Sequence, residues 1–98
     1  MVEINNGSVF RLNKDVIKRF EHNLNNGTMV LCNMKTMEFW FGNEYSKILI
    51  KLIADKKSLQ DIYSEILSEY EENDYEEVVN AYNTILEDLM NKGFIEII

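Results

Sequence analysis

The stretch Met37–Phe41 constrains the fold more than any other part of the chain. It reads Met-Glu-Phe-Trp-Phe, and Gly42 alone separates it from Asn43, a residue type that commonly begins a helix. Side chains alternate across a strand, so three consecutive aromatic residues place apolar groups on both of its faces. Such a strand is either a central strand covered on both sides or an edge strand beside a groove for a partner segment. The sequence leaves both alternatives open.

Composition and charge restrict the class of protein. With 98 residues, of which 46% are hydrophobic and 11% aromatic, the chain is expected to form a single globular domain over residues 1–98. The formal net charge is −7, from 17 acidic and 10 basic side chains. That charge repels phosphate backbones, and the basic residues are scattered rather than clustered. We therefore do not expect the chain to bind nucleic acid.

Sequence features of secreted and membrane proteins are missing. No apolar run approaches the roughly 20 residues needed to cross a bilayer. Met1–Gly7 lacks the basic and apolar regions of a signal peptide. Cys32 is the only cysteine, so no internal disulfide can form. We expect a cytoplasmic location without membrane association.

The first half of the chain has strand-like patterns. Strands are predicted over Val16–Phe20, Thr28–Cys32 and Met37–Phe41, after a short extended segment at Val9–Leu12. The connections between the strands are short, and one of them contains Asn-Gly, which suits positive φ. Three strands with short connections predict a three-stranded antiparallel meander.

Helical periodicity then replaces the strand pattern. Asn43 is the predicted start of a first helix, in which apolar residues recur at helical spacing as far as Ile53. Ser58, with Asp61 three residues later, forms a capping-box pattern that predicts the start of a second helix. The two helices are therefore expected to follow the sheet with only a short break between them.

A third helix is predicted from Asp74, which forms the same capping pattern with Glu77. It is expected to run to about Lys92 and to stop at Gly93 in the C′ position. Phe94–Ile98 then forms a final short strand or an extended tail. The complete pattern predicts an α+β fold in which three helices follow a three-stranded antiparallel sheet.

The third helix has an unusually wide apolar surface. Its apolar residues form two neighbouring stripes, one of Val78, Tyr82, Ile85 and Leu89 and another of Val79, Leu86 and Met90. One interpretation is a long helix buried deeply in the core. The other places one stripe on the core and the other along a groove.

Catalytic motifs are missing from the sequence. There is no Gly-rich phosphate loop, no CxxC, no HExxH and no GxSxG. His22 is the sole histidine and is expected at the surface, while Cys32 is expected to be a small core side chain. We therefore expect a protein that is not an enzyme and that holds no cofactor and no metal.

The order and spacing of these elements resemble the PqqD-like peptide-recognition domain, the precursor-recognition element of pathways that modify ribosomally made peptides. The resemblance covers about Val16 to Ile95. Four segments carry it: Phe39–Asn43, Ile48-Leu49, Ser58–Ile62 and Leu86–Ile95. It implies a fold similar to a winged helix-turn-helix, with three antiparallel strands followed by three helices.

The chain departs from the usual family pattern at two places. The family usually has Leu before the helix-starting Asn and Gly in the turn after the first helix. This chain has Gly42 and Lys56-Lys57 at those places.

The resemblance implies a function in peptide recognition and natural-product biosynthesis. In the family, the leader of a precursor peptide adds as an extra strand to the edge of the third strand, and its apolar side chains lie in a groove beside the third helix. Such a chaperone-like domain delivers the leader to a separate modifying enzyme, such as a radical-SAM maturase, a cyclase or a protease. The peptide-binding residues implied here are Met37, Glu38, Phe39, Trp40 and Phe41 on the strand and Val78, Val79, Tyr82 and Leu86 on the helix. The sequence leaves open which face of the strand lines the groove.

Two other classes of function remain as alternatives. One is a winged-helix DNA-binding regulator, which shares the three-helix order but is disfavoured by the acidic charge. The other is a small non-catalytic subunit whose groove and edge bind a folded partner.

Overall fold

A computed structural model describes residues 7–25 and 27–98, and it has the predicted α+β architecture. The strands are β1 (Phe10–Leu12), β2 (Val16–Glu21), β3 (Thr28–Asn33), β4 (Glu38–Gly42) and β5 (Ile95–Ile97). The helices are α1 (Glu44–Ala54), α2 (Leu59–Leu67) and α3 (Tyr75–Asn91), with a short 3₁₀ turn at Glu72–Asp74 before α3. A three-stranded antiparallel sheet followed by three helices is therefore confirmed.

The main sheet has the order β2-β3-β4, with both pairs antiparallel. Leu31 lies at the centre of its inner face, where it pairs with Lys18 on one side and Trp40 on the other. Leu31 and Met29 are buried against the helices. The sheet therefore has one face on the core, and β4 lies at its edge.

The strand β4 begins one residue later than the sequence predicts. The four residues between Asn33 and Glu38 form the turn, and the last of them, Met37, has φ of 61°. The Met37 N–H donates to the Asn33 carbonyl at 2.7 Å, while the Asn33 side chain accepts from the N–H of Lys35. Met37 is thus a turn residue in a left-handed conformation, and the prediction that it belongs to the strand is wrong.

A second, two-stranded sheet joins the two ends of the described chain. β1 pairs antiparallel with β5, with Phe10 opposite Ile97 and Leu12 opposite Ile95. Phe10 is fully buried, and Arg11 forms an ion pair with Glu96 at 2.8 Å. Both segments were predicted to be extended, but the sequence did not indicate that they pair.

The predicted helix starts at Asn43 and Ser58 are confirmed. The Asn43 side chain accepts from the N–H groups of Tyr45 and Ser46, and the Ser58 hydroxyl accepts from the N–H of Asp61. These contacts satisfy N–H groups that the first turn of each helix leaves without a partner.

The end of α3 is also as predicted. Gly93 has φ of 79°, and the N–H of Phe94 donates to the Leu89 carbonyl at 2.9 Å. The N–H of Gly93 donates to the Met90 carbonyl, which completes a Schellman motif. The buried ring of Phe94 follows directly, so the glycine turns the chain back onto the core.

The predicted cap at Asp74 is wrong. Asp74 ends the 3₁₀ turn and has helical backbone angles, with φ −96° and ψ −6°, and its side chain makes no capping hydrogen bond. A capping side chain requires an extended backbone at this position. The 3₁₀ turn runs directly into α3, so it takes the place of the side-chain cap.

Candidate functional site

The hydrogen bonds around Asn33 determine which way the main chain of β3 faces. The N–H of Met34 donates to the Asp15 carbonyl, on the β2 side, at 2.8 Å. The carbonyl of the next residue back, Asn33, accepts from Met37, on the β4 side. Main-chain groups alternate in direction along an antiparallel strand. The N–H and C=O groups of Asn33 therefore face β4, and two residues earlier those of Leu31 do as well.

This alternation defines the free edge of β4. Trp40 lies opposite Leu31, so the main-chain groups of Trp40 point into the sheet. The N–H and C=O groups of its neighbours, Phe39 and Phe41, point out at the edge. Within the described part of the chain, no strand pairs with that edge. Four polar main-chain groups are thus presented in strand geometry.

The side-chain faces of β4, which the sequence left open, are distinct in the structure. Trp40 points inward and is only 8% exposed, whereas Phe39 and Phe41 point to the outer face and are 55% and 62% exposed. Glu38 is exposed at the start of the strand. The face of β4 that looks toward α3 is therefore the face of Trp40.

Trp40 connects β4 directly to α3. Its indole Nε1 donates to Oδ2 of Asp88 at 2.8 Å, and Asp88 also forms an ion pair with Lys92. The hydrogen bond from Trp40 lowers the pKa of Asp88 below its ordinary value, and Lys92 acts in the same direction. The carboxylate is thus held in its charged form, as an acceptor for the indole N–H.

Gly42 is required by the position of the Trp40 ring. A Cβ atom at residue 42 would lie 2.5 Å from ring atoms of Trp40 and 2.5 Å from Oγ of Ser46. The indole ring therefore occupies the space that a side chain at residue 42 would need. The Trp40 ring therefore explains why residue 42 is glycine in this chain, where the family usually has leucine.

Lys56 explains the second departure from the family pattern. It lies in the turn after α1 and has φ of 58°, a left-handed conformation that favours glycine. At the place where the resemblance leads us to expect glycine, this chain thus has a backbone conformation that suits glycine.

An open groove runs between α3 and the segment that leads from β4 into α1. It has a volume of about 380 Å³. Its apolar wall on α3 consists of Val78, Ala81, Tyr82 and Ile85, and Asn43 and Tyr45 lie on the opposite side. Asp74, Glu77 and Tyr70 complete the lining near the start of α3. The groove is therefore apolar along its length and acidic at one end.

Tyr82 forms the floor of this groove and is also part of the core. It is 4% exposed, and its hydroxyl donates to the Tyr45 carbonyl at 3.2 Å. Burial raises the pKa of Tyr82 to about 12, and Tyr70 and Tyr45 add to the shift. Tyr82 therefore remains neutral and joins α3 to the start of α1.

The remaining helix residues expected at the site lie elsewhere on α3. Leu86 is fully buried in the core, and Val79 is half-buried and does not line the groove. At about 100° per residue, both lie roughly a quarter turn from Val78, on the side away from Ile85. Leu86 therefore supports the groove from within the core.

Sequence reasoning missed Ala81, Ile85, Asn43 and Tyr45 as groove residues. The helical period contains the signal for the first two, because residues 78, 81, 82 and 85 lie on one face of a helix. The positions of Asn43 and Tyr45 could be inferred from the path of the chain, because the helix that starts directly after β4 has to begin beside the end of that strand. Neither the helical period nor the chain path shows which face of α3 is left uncovered by the rest of the domain.

His22 lies at the surface as expected, whereas Cys32 is buried on the outer face of the main sheet, opposite Phe39, and not in the core cluster beneath the inner face. Cys32 is buried, with its sulfur 3.8 Å from that of Met34, and His22 is exposed with its ring against Phe20. In residues 7–25 and 27–98, no group of three His, Cys, Asp or Glu side chains is arranged to hold a metal ion. The same residues contain no helix with both the length and the apolar character of a membrane span.

Comparison with known families identifies the family of the chain. The family model described as coenzyme PQQ synthesis protein D (PqqD) matches residues 28–95, from β3 to the start of β5. The chain belongs to the PqqD family. No curated protein and no solved structure has a significant match to it. PqqD-family proteins are non-catalytic accessory proteins of PQQ biosynthesis that bind a peptide partner, and this supports a partner-binding role for the present domain.

Proposed function

We propose that this PqqD-family domain binds the leader segment of a ribosomally synthesised precursor peptide by strand addition to β4. The observation that carries the proposal is the free edge of β4, which leads into Asn43 and Tyr45, two residues that line an apolar groove against α3. Phe39 and Phe41 each present an N–H and a C=O along that edge, so an extended peptide gains main-chain hydrogen bonds whatever its sequence. The edge supplies affinity, and the groove supplies selectivity.

The groove selects apolar peptide side chains on the inner face. In a strand added to β4, every second side chain points toward α3, where Val78, Ala81 and Ile85 form an apolar wall. Asp74 and Glu77 lie at one end of this wall and favour a Lys or Arg of the peptide there. The expected leader therefore has apolar residues at alternate positions and a basic residue near one end.

The domain itself performs no chemistry in this proposal. It holds the leader in an extended conformation, and the rest of the precursor stays free for a separate modifying enzyme such as a radical-SAM maturase, a cyclase or a protease. The expected place of this reaction is the cytoplasm. Binding the leader raises the local concentration of the precursor at that enzyme.

Peptide selection tests the proposal and does not require the sequence of the precursor. The domain is used to select from a displayed library of random peptides, and the synthetic form of the best binder, called here the selected peptide, is measured by calorimetry. We expect enrichment of peptides with alternating apolar residues and no binding to random duplex DNA at low salt. Failure to enrich any peptide would contradict the proposed function.

Proline substitution tests strand addition itself. Phe39→Pro removes an N–H that faces the open edge, whereas Phe39→Val removes the same ring and keeps the N–H. We expect both variants to fold by circular dichroism, the valine variant to lose at most the contribution of the ring, and the proline variant to lose the selected peptide. Glu38→Pro is expected to destabilise the domain, because it removes the N–H that donates to Oγ1 of Thr36 and because proline disfavours the left-handed conformation of the residue before it, here Met37. Equal peptide affinities of the Pro and Val variants at residue 39 would contradict strand addition.

A further inference from the structure

The outer face of the main sheet carries an exposed pair of aromatic rings directly at the free edge. The rings of Phe39 and Phe41 are nearly parallel, with an interplanar angle of 13° and centroids 6.2 Å apart. Both point away from the groove, because Trp40 between them takes the inner face. The rings therefore have no part in the groove contacts proposed above.

The neighbours of these rings extend the apolar surface into the sheet. Phe39 lies opposite Cys32 and Phe41 lies opposite Val30, so the outer face is apolar across both β4 and β3. Exposed Ile17 continues this surface on β2, where it pairs with Cys32. The surface ends at the open edge of β4, where a further strand would extend it.

We propose that Phe39 and Phe41 bind two apolar side chains of the captured peptide on the outer face, at positions i and i+2, while residue i+1 points to the inner face, toward α3. This inference rests on the proposed function and adds a second recognition surface to it. The peptide is then held from both faces of the sheet edge. The recognised segment contains at least three consecutive apolar residues instead of a simple alternation.

The register of strand addition leads to this spacing. The main-chain groups of Phe39 and Phe41 face the edge, so in a peptide added antiparallel to β4 the residues opposite them form hydrogen-bonded pairs with Cα atoms about 5.5 Å apart. Side chains of directly opposite residues lie on the same face of a sheet and contact each other. The two peptide side chains opposite the rings are therefore on the outer face, and the one opposite Trp40 is on the inner face.

Charge favours a peptide over a second copy of the chain as the occupant of this surface. Each copy has a formal net charge of −7, so two copies meeting face to face would repel each other. A peptide strand lies in the plane of the sheet and reaches both rings from the edge. It needs no contact with the rest of the outer face.

The test is a double-mutant cycle between the domain and the selected peptide. Phe39→Thr with Phe41→Thr removes both rings and keeps residues suited to a strand, and both positions are exposed, so the variant is expected to fold. We expect it to bind the selected peptide about 2- to 30-fold more weakly. A peptide with Ser at i and i+2 is expected to lose a similar factor against the unmodified domain and little more against the variant.

A peptide with Ser at i+1 is the matched control, because that residue, opposite Trp40, lies on the inner face. Its loss of affinity is expected to be the same in the unmodified domain and in the threonine variant. Unchanged affinity of the threonine variant for the selected peptide would overturn the inference. So would a change in oligomeric state with unchanged peptide affinity, because the rings would then serve self-association.

The two proposals fail in distinguishable ways. If Phe39→Pro abolishes binding and the threonine variant binds normally, strand addition stands and the outer-face contact is refuted. If the unmodified domain selects no peptide, the proposed function fails and the inference fails with it.

Discussion

The indole Nε1 of Trp40 donates a 2.8 Å hydrogen bond to Oδ2 of Asp88, 48 residues away in sequence. This contact joins the edge strand β4 to α3, about one helical turn beyond Ile85 of the groove wall. Trp40 is 8% exposed, and its ring covers the backbone of Gly42. Trp40 therefore ties the edge strand to α3 through a hydrogen bond and also packs in the core.

A double-mutant cycle measures the Trp40–Asp88 contact. We expect Trp40→Phe and Asp88→Ala each to destabilise the domain, with a coupling energy of about 1 kcal/mol, which is moderate because the Asp88 side chain is partly exposed to solvent. Urea denaturation of the four proteins gives this value. Strictly additive effects would show that the contact does not stabilise the fold.

The Trp40–Asp88 contact also makes the stability of the domain depend on pH in the acidic range. The pKa of Asp88 is lower in the folded state than in the unfolded state, so its contribution to stability is complete above the unfolded value of about 4. That contribution is lost as the pH falls through the lower folded-state pKa. We expect the unmodified domain to lose more stability than Asp88→Asn on acidification through this range. Parallel stability curves for the two proteins would contradict the assignment.

Because of Tyr82, we expect the stability of the domain to fall at alkaline pH as well. Its pKa is raised to about 12 in the folded state, above the unfolded value of about 10. The stability that this provides is complete below pH 10 and is lost as the pH rises toward 12. Tyr82→Phe lacks this term, so its stability should fall less steeply in that range. Tyr63, whose pKa is also raised to about 12, remains in both proteins as a common background.

Truncation of Tyr82 tests its place in the core. Because the residue is 4% exposed, we expect Tyr82→Ala to cost about 3–5 kcal/mol of stability. Tyr82→Phe keeps the ring, so it should retain most of the peptide affinity that depends on the groove floor. Chemical denaturation and calorimetry on both variants separate the two contributions. Normal stability of Tyr82→Ala would show that the residue is not packed as described.

Gly42→Ala tests the close approach of the Trp40 ring. The added Cβ would meet ring atoms of Trp40 at 2.5 Å, so the ring or the strand has to move. We expect a loss of about 1–3 kcal/mol in the free energy of unfolding. The same substitution in a Trp40→Phe background is expected to cost less, because the smaller ring leaves room. Equal costs in both backgrounds would show that the ring does not cause the clash.

Local patterns in the sequence predicted most of the elements correctly. The capping residues Asn43 and Ser58 and the terminating Gly93 act through contacts within a few residues, so their signals are visible in the chain itself. The 3₁₀ turn before α3 escaped prediction because Asp74 and Glu77 match a capping box in sequence alone. Met37 at positive φ escaped for a similar reason, since no glycine marks the turn.

Long-range relationships were less predictable. The pairing of β1 with β5 connects segments about 80 residues apart, and no local pattern specifies it. The inner face of β4 depends on Asp88, the acceptor that the buried Trp40 N–H requires. The sequence contains one local signal for this arrangement. Gly42 follows Trp40 by two positions, and a glycine leaves room for the Trp40 ring to lie over the backbone.

Amide hydrogen exchange of Phe39, Trp40 and Phe41, measured by NMR, tests the central claim most directly. In the free domain we expect the amides of Phe39 and Phe41 to exchange rapidly, because they face the open edge, and the amide of Trp40 to be protected by β3. Saturation with the selected peptide should slow exchange at Phe39 and Phe41 toward the rate of Trp40, without a comparable change at Trp40. Protection of Phe39 and Phe41 in the free domain, or unchanged exchange in the complex, would contradict strand addition at β4.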